Sequence, residues 1–453
     1  MRVKIPNTYF LISILIVLTT ILTWIIPAGV FIDTPTGKEF QWVEASPQGF
    51  AAILTAPIRG FVEGAQIIAF VLIVGGAFGV FRKTDALTAA IHMLVRWHSQ
   101  KAWMQRLILP LMIGIFSLAG AVFGMSEEVI PFILVFIPLT IALGYDTITA
   151  VAVTYVAAHT GFAAAFLNPF TIGIAQGIAE VPLFSGLPYR LAAWLVFTLI
   201  AILFINRHAR RVMRDPTCSP TFREDEERRR EGSTLTGKQK LDLRHQLVLA
   251  CFAGAMLVLV FGVLIWQWYI NEIAALFLVM GIIVGIAGRL SIQATTAAFL
   301  EGAKELLGTA LIIALARAVL LLANEGQIID TILYTLADSI DHWHPIVASQ
   351  AMFLIQTLIN FFVPSGSGQA ALTMPIMAPL GDLIGVSRQT VVLAFQFGDG
   401  FSNMIIPTSP VLMGVLALAK IPYGTWFKWM IGLELLFIAT AMLLLIPPFF
   451  MAW

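Results

Sequence analysis

A chain of 453 residues in which 59% are hydrophobic and only 12% charged, with a mean hydropathy of +0.89, is too apolar for an ordinary soluble domain, where roughly a quarter of residues carry charge. Its main solvent must be lipid. A formal net charge of +1 offers no basic surface to nucleic acid, and two cysteines, Cys218 and Cys251, make neither a metal spacing nor a disulfide framework.

The N-terminal MRVKIPNTYFLISILIVLTTILTWIIPAG puts basic residues before an apolar run of about twenty residues, the length of a spanning helix. A signal peptide has the same layout, but no small-x-small cleavage site closes the run, so it reads as a retained first helix. Further apolar stretches fall at 62–81, 106–124, 129–144, 147–167, 188–206, 246–266, 272–288, 304–322, 346–363, 370–384, 389–407 and 427–447. Several are full spans, whereas others are short or broken by proline and glycine. Arg2, Lys4, Arg82, Lys83, Arg96, Lys101 and Arg106 cluster with the stretch 207–244, which holds 11 of the 27 basic residues. By the positive-inside rule these segments and the N-terminus are cytoplasmic, while 31–55 and 323–345 lie outside. The chain is thus expected to be a multi-pass membrane protein with its N-terminus cytoplasmic.

Weak self-similarity runs along the sequence. Phe61-Val62-Glu63-Gly64-Ala65 recurs as Phe299-Leu300-Glu301-Gly302-Ala303, and an offset of 241 pairs Ser126 with Ser367, Pro138-Leu139 with Pro379-Leu380, Gly144 with Gly385 and Asn168-Pro169 with Ser409-Pro410. Colinear matches at nearly one offset argue for duplication. If about 106–144 and about 346–384 are hairpins that enter and leave on one side, the two copies have opposite orientations. The expected organisation is a first membrane repeat at 1–206, a charged cytoplasmic linker at 207–245, a linking transmembrane helix at 246–266 and a second repeat at 272–453. The linker, mixed in charge and poor in aromatics, cannot build a core and reads as a tether, with regulation as the alternative. Inverted repeats with interrupted helices are the usual pointer to alternating-access transport.

The first hairpin tip reads SLAGAVFGMSEEVIPF (117–132). Gly120, Gly124 and Ser126 permit a tight reversal, and Pro131 interrupts the returning helix. Glu127 and Glu128 stand out, because a carboxylate at membrane depth is costly unless paired, protonated or hydrated. They read as meeting substrate or a coupling ion; the structural alternative is a pair with an arginine or a tip in headgroup water. The second tip, FFVPSGSGQAALTMP (361–375), offers Ser365, Gly366, Ser367, Gly368 and Gln369 between apolar runs. Non-helical backbone there must be buried or line a polar cavity, where freed carbonyls can hold a cation and helix N-termini can face an anion.

Two further breaks follow spans. AAHTGFAAAFLNPFTIGIAQ (157–176) carries His159, Asn168, Pro169, Thr171 and Gln176; FQFGDGFSNMIIPTSP (395–410) carries Asp399, Asn403, Thr408, Ser409 and Pro410. Asp399 can ligate sodium or exchange a proton, or simply cap a helix; His159 can shuttle a proton or pack as a hydrogen-bonded core residue. Glu63 and Glu301 read as structural carboxylates near helix starts, and Trp24, Trp266, Trp426 and Trp429 as interfacial anchors. No phosphate-binding glycine loop with lysine occurs, His342 and His344 lack further ligands, and no base stands near the SGSG serines. Neither an ATP-driven pump nor an enzyme is indicated, and no cofactor beyond a coupling sodium ion or proton.

At these same segments, IPNTYFLISILIVLTTILTWIIPAGVF, FGMSEEVIPF, NPFTIGIAQGIAEVPLFSGLPYR, PSGSGQAALTMPIMAPLGD, FQFGDGFSNMIIPTSP and ALAKIPYGTWFKW, the chain resembles the YfcC-like branch of the anaerobic four-carbon-dicarboxylate carrier (DcuC-like) family, itself similar to arginine/ornithine exchangers. The resemblance covers essentially the whole chain. It implies an all-α polytopic membrane protein with inverted-topology repeats and two opposed re-entrant helical hairpins, as in the ion-transporter superfamily, and a homodimer in lipid. It implies a bacterial inner (plasma) membrane location and a substrate site at Ser126, Glu127, Glu128, Asn168, Pro169, Thr171, Ser365, Gly366, Ser367, Gly368, Thr408, Ser409 and Pro410 with cation sites nearby. The polar breaks themselves add Gln369 and Asn403 to the substrate site, and sodium is expected near Ser126, Asn168, Ser367, Asp399 or Thr408. Glu127, Glu128, His159 and Asp399 are the ion-coupling candidates. Such carriers present neutral tips to an anion, so the acidic pair Glu127-Glu128 departs from the pattern and favours a basic or zwitterionic amino acid or small peptide over a four-carbon dicarboxylate. A passive channel and a non-transporting receptor are the alternatives from other classes.

Overall fold

The computed structural model describes residues 8–34, 37–90, 93, 102–233, 242–266, 268, 270–340 and 342–451. Arg2, Lys4, Arg96 and Lys101, on which part of the expected orientation rests, lie outside the described residues. Among the described residues, six helical segments are long and apolar enough to cross a membrane: Ala65–Lys83, Leu187–Arg214, Ile270–Ala287, Leu307–Glu325, Pro345–Phe362 and Tyr423–Phe450. The protein is a multi-pass α-helical membrane protein, because in lipid a helix satisfies its backbone internally.

The first helix, α1 (Thr8–Ile25), is followed by a hairpin of β1 (Gly29–Thr34) and β2 (Gly37–Trp42), antiparallel with Phe31 opposite Phe40. No strand is expected from the sequence there. The hairpin holds because Phe40 stacks on Tyr334 with ring centroids 4.1 Å apart and the Phe31 N–H donates to Asp330 at 3.0 Å, contacts about 300 residues away in the chain and invisible to local pattern.

The stretches 62–81 and 304–322, each read as one helix, are second members of pairs. Helices α2 (Phe50–Glu63) and α3 (Ala65–Lys83) meet at Gly64, as α12 (Ile292–Glu305) and α13 (Leu307–Glu325) meet at Leu306; both pairs have 14 and 19 residues. Glu63 therefore ends its helix and Glu301 lies in the C-terminal half of its own rather than at helix starts, both exposed, and at Glu63 the carboxylate opposes the dipole. The pairs interlock, α3 on α12 and α2 on α13. Backbones touch: a Cβ on Gly302 would stand 2.8 Å from the Gly79 Cα, the small-residue approach of membrane helices.

Two helix-turn-helix units follow the same logic. In one, α4 (Ala102–Phe123) turns through 124–128 into α5 (Val129–Ala142); in the other, α15 (Pro345–Phe362) turns through 363–365 into α16 (Gly366–Leu383). Helix α4 packs on α6 (Thr147–Ala163, with a π-turn at Ala152–Val156), and α15 packs on α17 (Arg388–Ser402). Gly120 lies inside α4, not in the reversal. A Cβ there would stand 2.8 Å from the Phe162 N of α6. Pro131 is the third residue of α5, where the first turn needs no donor, so it begins the returning helix instead of breaking it. Past α6 the chain resumes as α7, a π-turn Pro169–Gly173 running into Ile174–Ile178; past α17 it resumes as α18 (Pro410–Ala419).

Helix α8 (Leu187–Arg214) carries the first part of the expected linker, and α9 (Phe222–Ser233) packs on α5. The linker is bound by polar contacts. Asp146 caps α6 by accepting the Thr149 N–H at 2.9 Å, and its other oxygen accepts from His208 Nε2 at 2.9 Å and Ser219 Oγ at 2.7 Å. Arg228 donates to the Ala419 carbonyl at 2.7 Å, closing on the end of α18, and Arg229 to the Tyr145 carbonyl at 2.9 Å. The remaining spans are α10 (Leu243–Trp266), α11 (Ile270–Ala287) and α19 (Tyr423–Leu444), with the short α14 (Ile329–Asp338) preceding α15. Trp426 is not an interfacial anchor: it is fully buried and donates to the Met404 carbonyl at 2.9 Å, whereas Trp24 and Trp266 are exposed.

Burial raises the pKa of Asp146, but hydrogen bonds and charge from His208 and hydrogen bonds from Thr149 and Ser219 outweigh it and hold the carboxyl below its ordinary 3.8. A depressed carboxyl stabilises the fold above its unfolded pKa and loses that contribution as the pH falls through the folded value. Asp146→Asn should therefore cost about 2 kcal/mol of stability at neutral pH, seen as a lower apparent melting temperature in detergent. The gap to wild type should close as the pH drops below 3.8; equal melting at pH ~7 would mean that the linker is not held through Asp146.

Candidate functional site

Four interruptions of helix meet: the turns 124–128 and 363–365 and the breaks after α6 and α17. A cavity of about 70 Å³ lies among them, room for a few water molecules. The first turn contributes Ser126, Glu127 and Glu128, and the second turn with the start of α16 contributes Ser365, Gly366 and Ser367. His159 and Thr171 line it from the first break, Asn403, Ser409 and Pro410 from the second.

Each interruption is locally braced. Gly124 has φ +71°, and the Asn168 amide nitrogen would lie 2.8 Å from any Cβ placed on it, so both conformation and space require glycine. Glu128 folds back and accepts the Ser126 N–H at 2.9 Å, closing the tip. Asn168 accepts the Phe170 N–H at 2.9 Å and Pro169 takes the first helical position, a capped start that needs no donor from proline. Ser365 caps α16 through the Gly368 N–H at 3.4 Å, and Ser409 caps α18 through the Leu412 N–H at 3.3 Å. The N-terminal ends of α16 and α18 thus border the cavity, and such ends favour negative charge.

Not every expected site residue lines it. Asn168 and Pro169 brace the first break from behind, and Gly368 serves the cap of α16. Gln369 is turned away, donating from Nε2 to the Gln356 carbonyl at 2.8 Å and Oε1 at 2.7 Å and so tying α16 to α15. Gln176 is structural too, bound to the Phe184 N–H and the Ser185 carbonyl. His159 faces the cavity with its ring 4.2 Å from that of Tyr155 and Nδ1 3.2 Å from the Tyr155 carbonyl.

Asp399 and Thr408 lie outside the cavity wall. Both carboxylate oxygens of Asp399 are buried without a hydrogen-bond partner, as are Thr171 Oγ1, Thr408 Oγ1, Gln396 Oε1 and Asn360 Oδ1. A Cβ on Gly366 would stand 3.1 Å from Asp399 Oδ2 and collide with the Thr171 methyl. Gly366, which lines the cavity, therefore stands between it and the buried Asp399 carboxylate. Among the described residues no cluster of three or more His, Cys, Asp or Glu forms a metal site; a cation beside Asp399 would be held mainly by neutral oxygens.

Arg317 is a cavity residue not singled out from the sequence. Its signal was available: an arginine in LGTALIIALARAVLLLANE, the 19 residues of α13, is as costly at membrane depth as the glutamates. Attention to breaks alone passes over it, since α13 is unbroken. Phe162, Phe170 and Val411 complete the wall.

In comparisons with known proteins, residues 5–448 match the profile of the family described as "C4-dicarboxylate anaerobic carrier" (DcuC). A protein of Escherichia coli (strain K12) named "Putative basic amino acid antiporter YfcC" is 37% identical over 473 aligned residues, covering 94% of this chain and 93% of its own. One from Haemophilus influenzae is 31% identical, covering 88% and 78%. Two solved transporters also overlap most of the chain at 18% identity: Alcanivorax borkumensis YdaH, TM-score 0.47, covering 97% of this chain and 98% of its own, and Neisseria gonorrhoeae MtrF, TM-score 0.44, covering 98% and 96%. At those scores neither bears on the fold or the site.

Gly366→Ala forces its methyl against Thr171 and Asp399. Uptake into proteoliposomes should fall at least about tenfold while the protein stays monodisperse, since a misplaced site group commonly costs that much. Gly254→Ala, with nothing within 4 Å of the added carbon, should leave uptake unchanged. Equal uptake by both variants would show that the contact under the second tip is dispensable.

Proposed function

The chain belongs to the C4-dicarboxylate anaerobic carrier family and is a secondary transporter of a small charged solute, not an enzyme; from that premise we propose that its cargo is a basic or zwitterionic amino acid or a small peptide, carried by antiport or ion-coupled symport. The carrying observation is that Glu127 and Glu128 line one cavity with the serines of the second tip. Among the side chains, with these groups ionised, one guanidinium faces two carboxylates there, an excess of negative side-chain charge. A cationic cargo cancels it, whereas a dicarboxylate adds to it at close range. The name of the Escherichia coli relative, a basic amino acid antiporter, agrees with this reading. The family description favours a second one, a four-carbon dicarboxylate.

The proposed mechanism is alternating access between inverted repeats in a bacterial inner membrane, with the N-terminus cytoplasmic and the two helix-turn-helix units as opposed re-entrant hairpins. Support comes from the matched 14- and 19-residue helix pairs, the recurring sequence matches and the meeting of both turns at one cavity. Bare carboxylates resist passage through the membrane until cargo, sodium or protons neutralise them, which links movement to loading. For the coupling ion, the unpaired oxygens of Asp399, Thr171 and Thr408 favour these residues over Asn168, whose oxygen is engaged with Phe170.

Counterflow in proteoliposomes with labelled arginine, ornithine, a neutral amino acid, a dipeptide and succinate, with and without sodium and proton gradients, tests the reading. Saturable flux of a basic amino acid that falls at least about tenfold when Glu127→Gln and Glu128→Gln are combined is expected. Saturable succinate flux that survives the double change sinks the acidic-cavity assignment. Rapid flux that never saturates marks a channel, and ligand binding without flux a receptor.

A further inference from the structure

Arg317 is the eleventh residue of α13, a helix of membrane-crossing length. Three other arginines are answered by carboxylates, Arg59 by Glu325, Arg82 by Glu305 at 2.6 Å, and Arg388 by Glu180 and Asp382 at 2.8 Å each, while buried Arg190 donates to Gln389 and Arg229 to the Tyr145 carbonyl. Among the described residues Arg317 makes no ion pair or hydrogen bond, and its Nε is buried without a partner. Such a group is costly in an apolar bundle unless something is there to receive it.

Its stem is fixed while its head is free. A Cβ on Gly64, the joint between α2 and α3, would lie 3.3 Å from Arg317 Cγ, so the arginine stem passes close over that joint. The guanidinium then lines the cavity with Glu127 and Glu128, and Glu127 feels its charge. The eleventh residue of α3, the matching helix, is Gly75, where an added Cβ would stand 2.6 Å from the Leu306 side chain. The packing that recurs between the two pairs therefore needs no arginine at this position, and Arg317 is an asymmetric addition that faces the cavity alone.

We propose that Arg317 is the carboxylate-recognising residue of the cavity, pairing with the α-carboxylate of the cargo while Glu127 and Glu128 face its cationic end, so that the cavity selects basic α-amino acids over amines without a carboxylate. This rests on the amino-acid reading above and deepens it. A guanidinium presents paired N–H donors that match a carboxylate, which an ammonium does not. Two acidic groups and one basic group at the cavity match the charge order of a basic amino acid: one negative end, and two positive groups.

The test is inhibition of labelled-arginine counterflow by unlabelled arginine and by agmatine, which keeps the guanidinium and lacks the carboxylate, in wild type, Arg317→Gln and Arg317→Lys. In wild type, arginine should compete at least about tenfold better than agmatine. Arg317→Gln should weaken arginine about 10- to 100-fold, the usual range for a lost charged hydrogen bond, to the level of agmatine, with agmatine itself unchanged. Equal competition in wild type, or an undiminished arginine preference in Arg317→Gln, overturns the proposal. If Arg317→Gln fails to assemble, Arg317→Lys decides, since losing the fork should bring the two ligands within a few-fold and an unchanged preference refutes the role. If wild type carries succinate and no arginine, the amino-acid reading falls while the carboxylate role is read from succinate: flux lost in Arg317→Gln supports it, and full flux overturns it.

Discussion

Backbone N–H groups at a helix start have no acceptor within the helix, and an apolar bundle offers no water to supply one. Several such starts converge at the cavity, and three are closed by a side chain: Asn168 for Phe170, Ser365 for Gly368 and Ser409 for Leu412; at the first tip the backbone of the turn accepts the first N–H groups of α5, while Glu128 accepts the Ser126 N–H. This requirement sorts the polar residues. Asn168, Gln369 and Gln176 are spent on holding the chain, while Glu127, Ser367, Thr171 and Arg317 border the cavity. Polarity in an apolar segment thus has two causes, and only the hydrogen-bond partners separate them.

Close backbone contact brings the interruptions together. Gly161 lets α6 lie on α4 against the Ser117 backbone, and Gly398 lets α17 lie on α15, where a Cβ would stand 2.7 Å from the Phe353 carbonyl. Gly400 then seats on Ala163, with its Cβ position 2.9 Å from the Ala163 nitrogen, crossing α6 and α17 just before both chains break. The bound linker adds a second tie, since α9 touches the start of α6 through Asp225 and Thr147 and the end of α18 through Arg228. Both broken segments are therefore fastened at the cavity and at their far ends.

The tips and breaks were legible because glycine, proline and serine interrupt apolar runs in the sequence itself, and the acidic pair was legible because charge is rare there. Depth around the cavity was not. Asp399 and Glu127 look alike in sequence, yet Glu127 lines the cavity and Asp399 lies behind Gly366. Helices α2 and α12 were missed because each runs into the next helix across a single residue, leaving no loop to mark a boundary. The docking of α9 could not be read from composition, because its segment FREDEERRREGS looks wholly solvated and is held by a few polar contacts to Thr147, Ala419 and Tyr145.

Charge links the cavity to the carboxylate behind Gly366. One guanidinium cannot neutralise two carboxylates, and Asp399 brings a further carboxylate whose oxygens have no partners. Thr171 stands at the same point: it lines the cavity, its hydroxyl is unpaired, and its methyl lies where a Gly366 side chain would go. A charge in the cavity therefore acts on the Asp399 carboxylate across a single glycine, at a separation where opposite and like charges interact strongly in a medium less polarisable than water. On the proposed reading, a cation beside Asp399 would lower the negative potential that draws a cationic cargo and would favour the anionic end of that cargo, so the sign of any coupling depends on which end of the cargo lies nearer to Gly366.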